Sequence, residues 1–298
     1  MKNIYQLLVN KFVLFTKIEL IRTRGRFSAK LLTDFSENRK SVHFVHRCNT
    51  INTGDLQCGY YKYFLTRFSN FNCYVHDLNS VDYSIIRYND VVLVGGGGLL
   101  NNLSTWNYTI NRLGRISKTA VIWSAGFNMH VDRKVKYEID FRNFRLIAIR
   151  DFGHSSGFEY VPCATCMMPE LLLDYDIKRK IGVVSHGSIA LPEHLLRYES
   201  ISNEYSAKDM VEFIGSSEIV LTNSFHVIYW ATLMQKKCIV VSPFSEKFKF
   251  LKFPPVSYSG DLDFDISQTK IYPDALSDSK ALVNGFVNKL ITIITSDV

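Results

Sequence analysis

The sequence has no apolar segment long enough to cross a membrane as a helix. Lys11 and Lys17 interrupt the apolar stretch near the N-terminus, and no small-residue cleavage site follows that stretch. We therefore predict neither a signal peptide nor a transmembrane helix. The expected location of the protein is the cytoplasm.

Cysteine is also scarce, with six residues among 298. In a chain without an export signal, we expect these cysteines to be reduced thiols. Cys163 and Cys166 have the spacing of a zinc-ligand pair, but the sequence contains no second CxxC or HxxxH to complete a structural zinc site. We therefore predict no metal site.

A dinucleotide-binding fingerprint is missing as well. The third glycine of G-x-G-x-x-G would fall on Leu100, and Asp132 lies too far downstream to bind a ribose. These differences argue against a nicotinamide or flavin cofactor, and we predict that the protein needs no cofactor. The absence of a DxD-like motif weakly disfavours a metal-dependent enzyme that uses a nucleotide sugar.

The composition is that of a folded protein. Hydrophobic residues make up 47% of the chain and charged residues 21%, which excludes global disorder. A length of 298 residues fits two domains or one large α/β unit. The net charge is +7, but residues 1–30 carry seven basic side chains against one acidic one, a net +6. Because no basic binding face is recognisable in the remainder, we predict no nucleic-acid partner.

Residues 1–40 are predicted to form a basic, amphipathic N-terminal arm. Apolar residues recur there at helical spacing: Ile4, Leu7, Leu8, Phe12, Phe15 and Ile18. Lysines lie between them, so residues 1–30 fit a helix on the anionic inner face of a membrane. The alternative is a helix that packs on the protein and exposes its basic face to solvent.

The stretch at residues 90–102 combines a buried strand with a run of glycines. Residues 91–94 are continuously apolar, as expected for a strand covered on both faces of a parallel sheet. The four glycines that follow allow a sharp turn and a close approach of backbone N–H groups to an anion or a sugar. We predict that Leu99 and Leu100 open a helix. The candidate substrate-binding residues are Gly96, Gly97, Gly98 and Asn101, although a tight turn needed only for packing would have the same sequence.

Strand and helix patterns alternate along the rest of the chain. Strands are predicted at residues 41–45, 73–76, 91–94, 119–123, 146–149, 181–184, 218–222 and 238–241, and helices at residues 56–68, 207–214, 225–234 and 281–295. This alternation predicts an α/β fold with mostly parallel sheets and two Rossmann-like domains. The predicted domains are residues 41–175 and residues 176–298, the second with a closing helix, and the linker lies near residues 170–180.

Several candidate residues follow the first-half strands, where parallel α/β folds place their ligands. Asn52 and Gly54 supply turn chemistry, and Asp55 is either a helix cap or a catalytic carboxylate. Arg150 directly follows the strand at residues 146–149. Its guanidinium either pairs with Asp151 or a neighbour, or binds a carboxylate or phosphate.

The second half offers a similar set. His186 follows the strand at residues 181–184, and Asn223 and Ser224 stand where a strand gives way to a helix. Ser224 is placed as the N-cap, and His226 falls in the first turn, where its ring can face the ligand edge. Lys247 belongs to a small basic cluster after the last strand. For both histidines a purely structural role is the alternative.

These motifs resemble the polysaccharide pyruvyl transferase family. The resemblance covers roughly residues 41–250 and rests on the order of six segments: Asn52-Thr-Gly-Asp55, the strand with Gly95 to Gly98, Ser124-Ala-Gly126, Arg150-Asp151, Pro162 to Met167, and Thr222-Asn-Ser-Phe-His226. It implies two Rossmann-like domains that face each other across a cleft, as in GT-B glycosyltransferases. It also implies transfer of the enolpyruvyl unit of phosphoenolpyruvate to sugar hydroxyls as a cyclic ketal.

The resemblance assigns Arg150 and His226 to the donor site. Phosphoenolpyruvate carries a phosphate and a carboxylate, so its site needs an arginine or lysine clamp and backbone amides. We expect His226 to bind the donor phosphate or act as the acid, and Asp55 to bind the sugar or act as the base. The expected acceptor is a bacterial-type surface polysaccharide, such as an exopolysaccharide or capsule, or its lipid-linked repeat unit. The alternatives are a GT-B-type glycosyltransferase that uses a nucleotide sugar and a non-catalytic carbohydrate-binding scaffold.

Overall fold

The computed structural model describes Gly25 and residues 28–101, 104–129, 138–187 and 189–296. The predicted amphipathic helix of the N-terminal arm lies outside these residues, and so its membrane contact stays a prediction. Among the residues described, no helix is both long enough and apolar enough to cross a membrane.

Strands and helices alternate through the chain. The strands are β1 (Lys30–Leu31), β2 (Ser41–His46), β3 (Asn72–Asp77), β4 (Val91–Gly95), β5 (Thr119–Ala125), β6 (Leu146–Ile149), β7 (Glu159–Tyr160), β8 (Arg179–Ser185), β9 (Ser200–Ser202), β10 (Ser217–Thr222), β11 (Lys237–Val240) and β12 (Val256–Ser257). The α-helices are α1 (Thr53–Gln57), α2 (Tyr61–Phe64), α3 (Ser104–Ile116), α4 (Ala207–Gly215), α5 (Phe225–Leu233), α6 (Leu262–Gln268) and α7 (Ala275–Thr295). All eight predicted strands are present, with ends that differ from the prediction by at most two residues.

The residues form two compact units. The first holds the described residues up to 49, those from 59 to 148 and those from 291 onward, and the second holds residues 50–58 and 149–290. The predicted domain limits near residue 175 stay a prediction. The two units are defined by contacts between residues, and such contacts do not show which segments fold independently.

The sheet of the first unit is built on central strands that are almost fully buried, although β2 and β3 contain polar residues. Its strand order is β1-β3-β2-β4-β5-β6. β2 pairs in parallel with both β3 and β4, and β4 pairs in parallel with β5. The two-residue edge strand β1 is antiparallel to β3. The sheet therefore has the mostly parallel, Rossmann-like character that the sequence predicts.

The sheet of the second unit has the order β12-β11-β10-β8-β9, and all of its strand pairs are parallel. The short outer strands β9 and β12 were not predicted, because they are too short to carry a periodic signal. Behind the central strands lies α5, a helix in which every residue from Phe225 to Leu233 is buried. A helix that is apolar on all sides belongs in a core, and here it fixes the position of His226.

Three helix predictions were wrong in their limits. The closing helix α7 begins at Ala275, six residues before the predicted start at residue 281. The predicted helix at residues 56–68 is instead three elements, α1, α2 and a 3-10 turn. Helix α1 begins at Thr53, because Asn52 is its N-cap residue. The side-chain oxygen of Asn52 accepts a hydrogen bond from the backbone N–H of Asp55, so Asp55 lies in the first turn and is not the cap. Leu99 and Leu100 also do not open a helix: α3 begins at Ser104.

Candidate functional site

Three neighbouring strands of the second unit end at one edge of their sheet. His186 follows β8, Asn223 and Ser224 follow β10, and the segment after β11 leads to Lys247. The backbone of Ser242 in that segment has φ of +48°, an uncommon conformation for a residue other than glycine. Because parallel strands carry ligands at their carboxyl ends, this edge is where a site is expected.

His226 lies in the first turn of α5 and is buried. Its Nε2 atom is 3.1 Å from Sγ of Cys58, 3.3 Å from Nη1 of Arg150 and 3.9 Å from Sγ of Cys163. Ser224 is the N-cap residue of α5 as predicted, but its side chain makes no capping hydrogen bond. The ring of His226 is therefore placed by the burial of α5 and by a cation and two thiols around it.

Gly54 is required by the position of His226. A Cβ atom built on Gly54 would lie 2.2 Å from Nδ1 of His226, closer than real Cβ atoms approach a ring. The glycine that the sequence analysis assigned to substrate binding thus has a packing reason: it lets helix α1 lie directly against the imidazole.

We expect Gly54→Ala to destabilise the protein by about 1–3 kcal/mol and to displace the imidazole, because the added methyl overpacks a buried contact. Thermal or denaturant unfolding measures the first effect, and the NMR signals of His226 report the second. The matched control is Gly285→Ala, where an added Cβ in helix α7 meets nothing within 4 Å. That change is expected to stabilise by about 0.5–1 kcal/mol, and equal stability of the two variants would contradict the packing role.

Arg150 is the first of two buried cations in the site. Only 4% of its surface is exposed, and its guanidinium carbon lies 3.9 Å from the ring centroid of Phe225. Its Nε has no hydrogen-bond partner among the residues described. The stacking and the burial hold the guanidinium flat beside His226 while leaving donor capacity for a ligand.

Lys247 is the second buried cation, with 8% of its surface exposed. Its Nζ atom lies 4.3 Å from the ring centroid of Phe244. Burial, reinforced by the positive charge of Arg150, lowers its pKa to about 7, while Asp55 and Asp151 act in the opposite direction. Lys247 and Arg150 are therefore electrostatically coupled, and Asp55 contributes negative charge to the same site.

Two thiols that were not predicted as site residues complete this arrangement. Hydrogen bonding from Cys58, followed by hydrogen bonding from His226 and the charges of His226 and Arg150, holds the pKa of the Cys163 thiol well below its ordinary value. Burial raises the pKa of the Cys58 thiol. The hydrogen bonds and positive charges around Cys163 thus favour the thiolate form there more than at Cys58.

The other predicted residues of the second unit have structural contacts. The Asn223 side chain accepts a hydrogen bond from the backbone N–H of His186 at 2.7 Å and donates one to the Ile189 carbonyl at 3.1 Å. The ring of His186 packs edge-on against Phe244, 5.3 Å between centroids. Asn223 therefore joins the ends of β8 and β10. The proposed substrate contacts of Asn52, His186, Asn223 and Ser224 stay predictions.

The glycine loop belongs to the first unit. Gly96 and Gly97 have φ of +80° and +76°, which explains the need for glycine at both positions. Packing accounts for Gly95, where a Cβ would lie 1.9 Å from the Trp123 carbonyl oxygen. The buried Asn101 donates a hydrogen bond to the Gly98 carbonyl at 3.4 Å. Substrate binding by Gly96, Gly97, Gly98 and Asn101 stays a prediction.

Comparison with known proteins gives two findings. Residues 56–245 match the family described as polysaccharide pyruvyl transferase, which is more than half of the chain. Among solved structures, the chain is similar to a functionally uncharacterized protein from Klebsiella pneumoniae subsp. pneumoniae, with a TM-score of 0.44 and 14% identity over 67% of this chain and 83% of the other. The search of curated proteins found no match.

Proposed function

Because the chain belongs to the polysaccharide pyruvyl transferase family, we propose that it transfers the enolpyruvyl unit of phosphoenolpyruvate to two hydroxyls of a sugar. The product is a pyruvate ketal, and inorganic phosphate is released. The family itself indicates a transferase with a polysaccharide acceptor, and the donor and the ketal are the proposal.

The observation that carries this proposal is a pair of buried cations that form no salt bridge among the residues described. Within the described part of the chain, neither Arg150 nor Lys247 forms a salt bridge, although both are more than nine-tenths buried. An unpaired buried charge is costly unless a ligand of opposite charge binds it. Phosphoenolpyruvate offers a phosphate and a carboxylate, and so it supplies two anionic groups for two cations.

The chemistry needs one acid and one base. Protonation of the methylene carbon makes the adjacent carbon electrophilic, and a sugar hydroxyl adds there while its proton goes to the base. Departure of phosphate and addition of the second hydroxyl then close the ketal, with the last proton leaving on the phosphate. We assign donor binding to Arg150 and Lys247, donor-phosphate binding or the acid role to His226, and sugar binding or the base role to Asp55.

The proposal also covers the acceptor and the arrangement of the two domains. We propose a surface polysaccharide or its lipid-linked repeat unit as the acceptor, and a GT-B-like arrangement of two facing domains with the glycine loop at the ligand edge.

The basic residues 1–30 would bring the enzyme to the membrane surface that carries a lipid-linked acceptor. Removal of these residues is expected to abolish binding to anionic liposomes and to spare turnover of soluble acceptors. Unchanged liposome binding would contradict the role of the arm.

The test of the proposed function is a direct assay. Purified protein is incubated with phosphoenolpyruvate and a panel of bacterial saccharides, and phosphate release is measured together with the mass of the acceptor. Release of phosphate with a ketal-linked pyruvate on the acceptor is the expected result. Thermal stabilisation by a nucleoside diphosphate but not by phosphoenolpyruvate, without phosphate release, would instead favour the nucleotide-sugar glycosyltransferase. Saccharide binding without turnover would favour the scaffold.

Lys247 gives this site a predictable pH dependence. Its pKa of about 7 means that its charge is present below pH 7 and is lost as the pH rises through 7, with Arg150, Asp55 and Asp151 as its charged neighbours. We expect the affinity for phosphoenolpyruvate to fall by up to about tenfold between pH 6 and pH 8. The measurement is a calorimetric titration at several pH values.

The control for this prediction is Lys247→Met, which keeps the length of the side chain and removes the titrating group. In that variant the donor's own ionisation still contributes, so the difference between the two profiles isolates Lys247. Identical pH profiles for the variant and the unchanged protein would show that Lys247 does not bind the donor.

A further inference from the structure

Three side chains that could ligate a metal meet in the second unit. The ligand atoms of Cys58, Cys163 and His226 all lie within 4.8 Å of one another, and all three residues are buried. We infer that these residues form a binding site for a single zinc-type divalent cation, with one coordination position left for a water molecule or an anion. This inference goes beyond the proposed transfer reaction and does not rest on it.

The distances among the three atoms fit a tetrahedral ion. Zinc bonds of about 2.3 Å to sulfur and 2.0–2.1 Å to nitrogen place two sulfurs about 3.8 Å apart, and a sulfur and a nitrogen about 3.5 Å apart. The Sγ atoms of Cys58 and Cys163 are 3.6 Å apart, and they lie 3.1 Å and 3.9 Å from Nε2 of His226. An ion could therefore enter with shifts of about 0.5 Å or less in each separation.

Neighbouring side chains form hydrogen bonds with Cys163 of the kind that orient ligands in metal sites. The hydroxyl of Thr165 donates a hydrogen bond to Sγ of Cys163 at 3.3 Å, and Thr165 in turn accepts one from the indole N–H of Trp230 at 3.0 Å. The hydroxyl of Tyr229 donates to the Cys163 carbonyl at 3.1 Å. Such contacts fix the orientation of ligands and are typical of metal sites.

The charge and the space around the cluster also suit a cation. Two thiolates neutralise one divalent ion, and the Nη1 atom of Arg150, 3.3 Å from Nε2 of His226, must leave that nitrogen as the ion binds. Thiolate and imidazole donors favour zinc-type ions over magnesium or calcium. Of the three ligands, Cys163 lines a cavity of about 20 Å³ together with Arg150, which is enough for one water molecule.

A cation bound in this cluster would occupy Nε2 of His226. Nε2 has a single lone pair, so a bound cation prevents this atom from donating a proton or contacting the donor phosphate. The metal-bound form and the form competent for the proposed transfer are therefore different states. Metal binding can be measured without any turnover, so the two proposals can fail independently.

Cobalt(II) is the probe that tests the site. Reduced, metal-free protein is titrated with cobalt(II), and the expected result is one ion per chain with an intense thiolate-to-cobalt absorption in the near ultraviolet. Zinc(II) should displace the cobalt and abolish the absorption. If the folded, reduced protein binds no cobalt, or binds it without the thiolate absorption, the inference is overturned.

Substitutions of the three proposed ligands test where the ion binds. Cys58→Ser, Cys163→Ser and His226→Gln are each expected to lose the thiolate absorption or to weaken cobalt binding by about 100-fold or more, with circular dichroism as the check on folding. Cys166→Ser separates this site from the CxxC pair, and Cys238→Ser is the matched buried-cysteine control. Both are expected to keep binding. Loss of binding in Cys166→Ser with retention in Cys58→Ser would refute the assignment.

Discussion

Replacement of Arg150 by alanine is expected to lower kcat/KM for phosphoenolpyruvate by about 10³-fold. Hydrogen bonds to charged groups contribute about 1.5–3 kcal/mol each, and a guanidinium can make two of them to a carboxylate or a phosphate. Two such bonds lost from the transition state correspond to a factor of about 10³ in rate. Steady-state assays of phosphate release measure the effect. Arg150→Lys should recover part of the loss, because the charge returns without the planar pair of donors.

The stability of Arg150→Ala should stay close to that of the unchanged protein, because two effects of the change oppose each other. The substitution removes the stacking on Phe225 and the contact with His226, but it also takes out of the core a cation that is 4% exposed and forms no salt bridge among the residues described. We expect a melting temperature close to that of the unchanged protein. The control is Arg142→Ala, whose side chain is 90% exposed and pairs with Asp140, and which should alter neither property. Full activity of Arg150→Ala would exclude Arg150 from the donor site.

His226→Gln is expected to lower the transfer rate by about 10²–10⁴-fold, the range found when a general acid is removed. The amide keeps a polar group of similar length but cannot supply a proton. A fall in kcat with little change in KM would identify the acid role, and a rise in KM would identify binding of the donor phosphate. The assay is run in metal-free buffer, so that occupancy of the cysteine–histidine cluster does not affect the comparison.

The control for this variant is His194→Gln, an exposed histidine whose ring contacts the hydroxyl of Tyr258 at 2.7 Å. It should leave both kinetic parameters unchanged. If His226→Gln releases phosphate at the normal rate, the ring is structural, which was the alternative that the sequence left open.

Much of the fold could be predicted because its strands are continuous apolar runs. Residues 91–94 are of this kind and are buried throughout, whereas residues 146–149 are apolar throughout but buried only at Ala148 and Ile149. A continuous apolar run is the signal expected of a strand covered on both faces of a parallel sheet. The limits of helix α1 could not be predicted in the same way. Asn52 and Asp55 both can cap a helix, and only the backbone geometry decides between them. The edge strands β9 and β12 were missed because three or fewer residues show no periodicity.

Some residues of the site could likewise be predicted from the sequence, and others could not. Arg150, His226 and Lys247 could be proposed because each follows a strand, and the rule that ligands bind at the carboxyl ends of parallel strands needs no knowledge of long-range contacts. Cys58 could not be found by this route. Its partners Cys163 and His226 stand 105 and 168 positions away. A search for metal ligands by local spacing therefore paired Cys163 with Cys166 and stopped there.

The membership of residues 50–58 in the second compact unit sets an order of events during protein synthesis. At about 5–20 residues per second, Cys58 leaves the ribosome roughly 10–30 s before His226, which lies 168 positions later. The Cys58 thiol must remain without its imidazole partner for that interval. A nascent chain halted before β10 would thus carry helix α1 without the surface against which Gly54 packs.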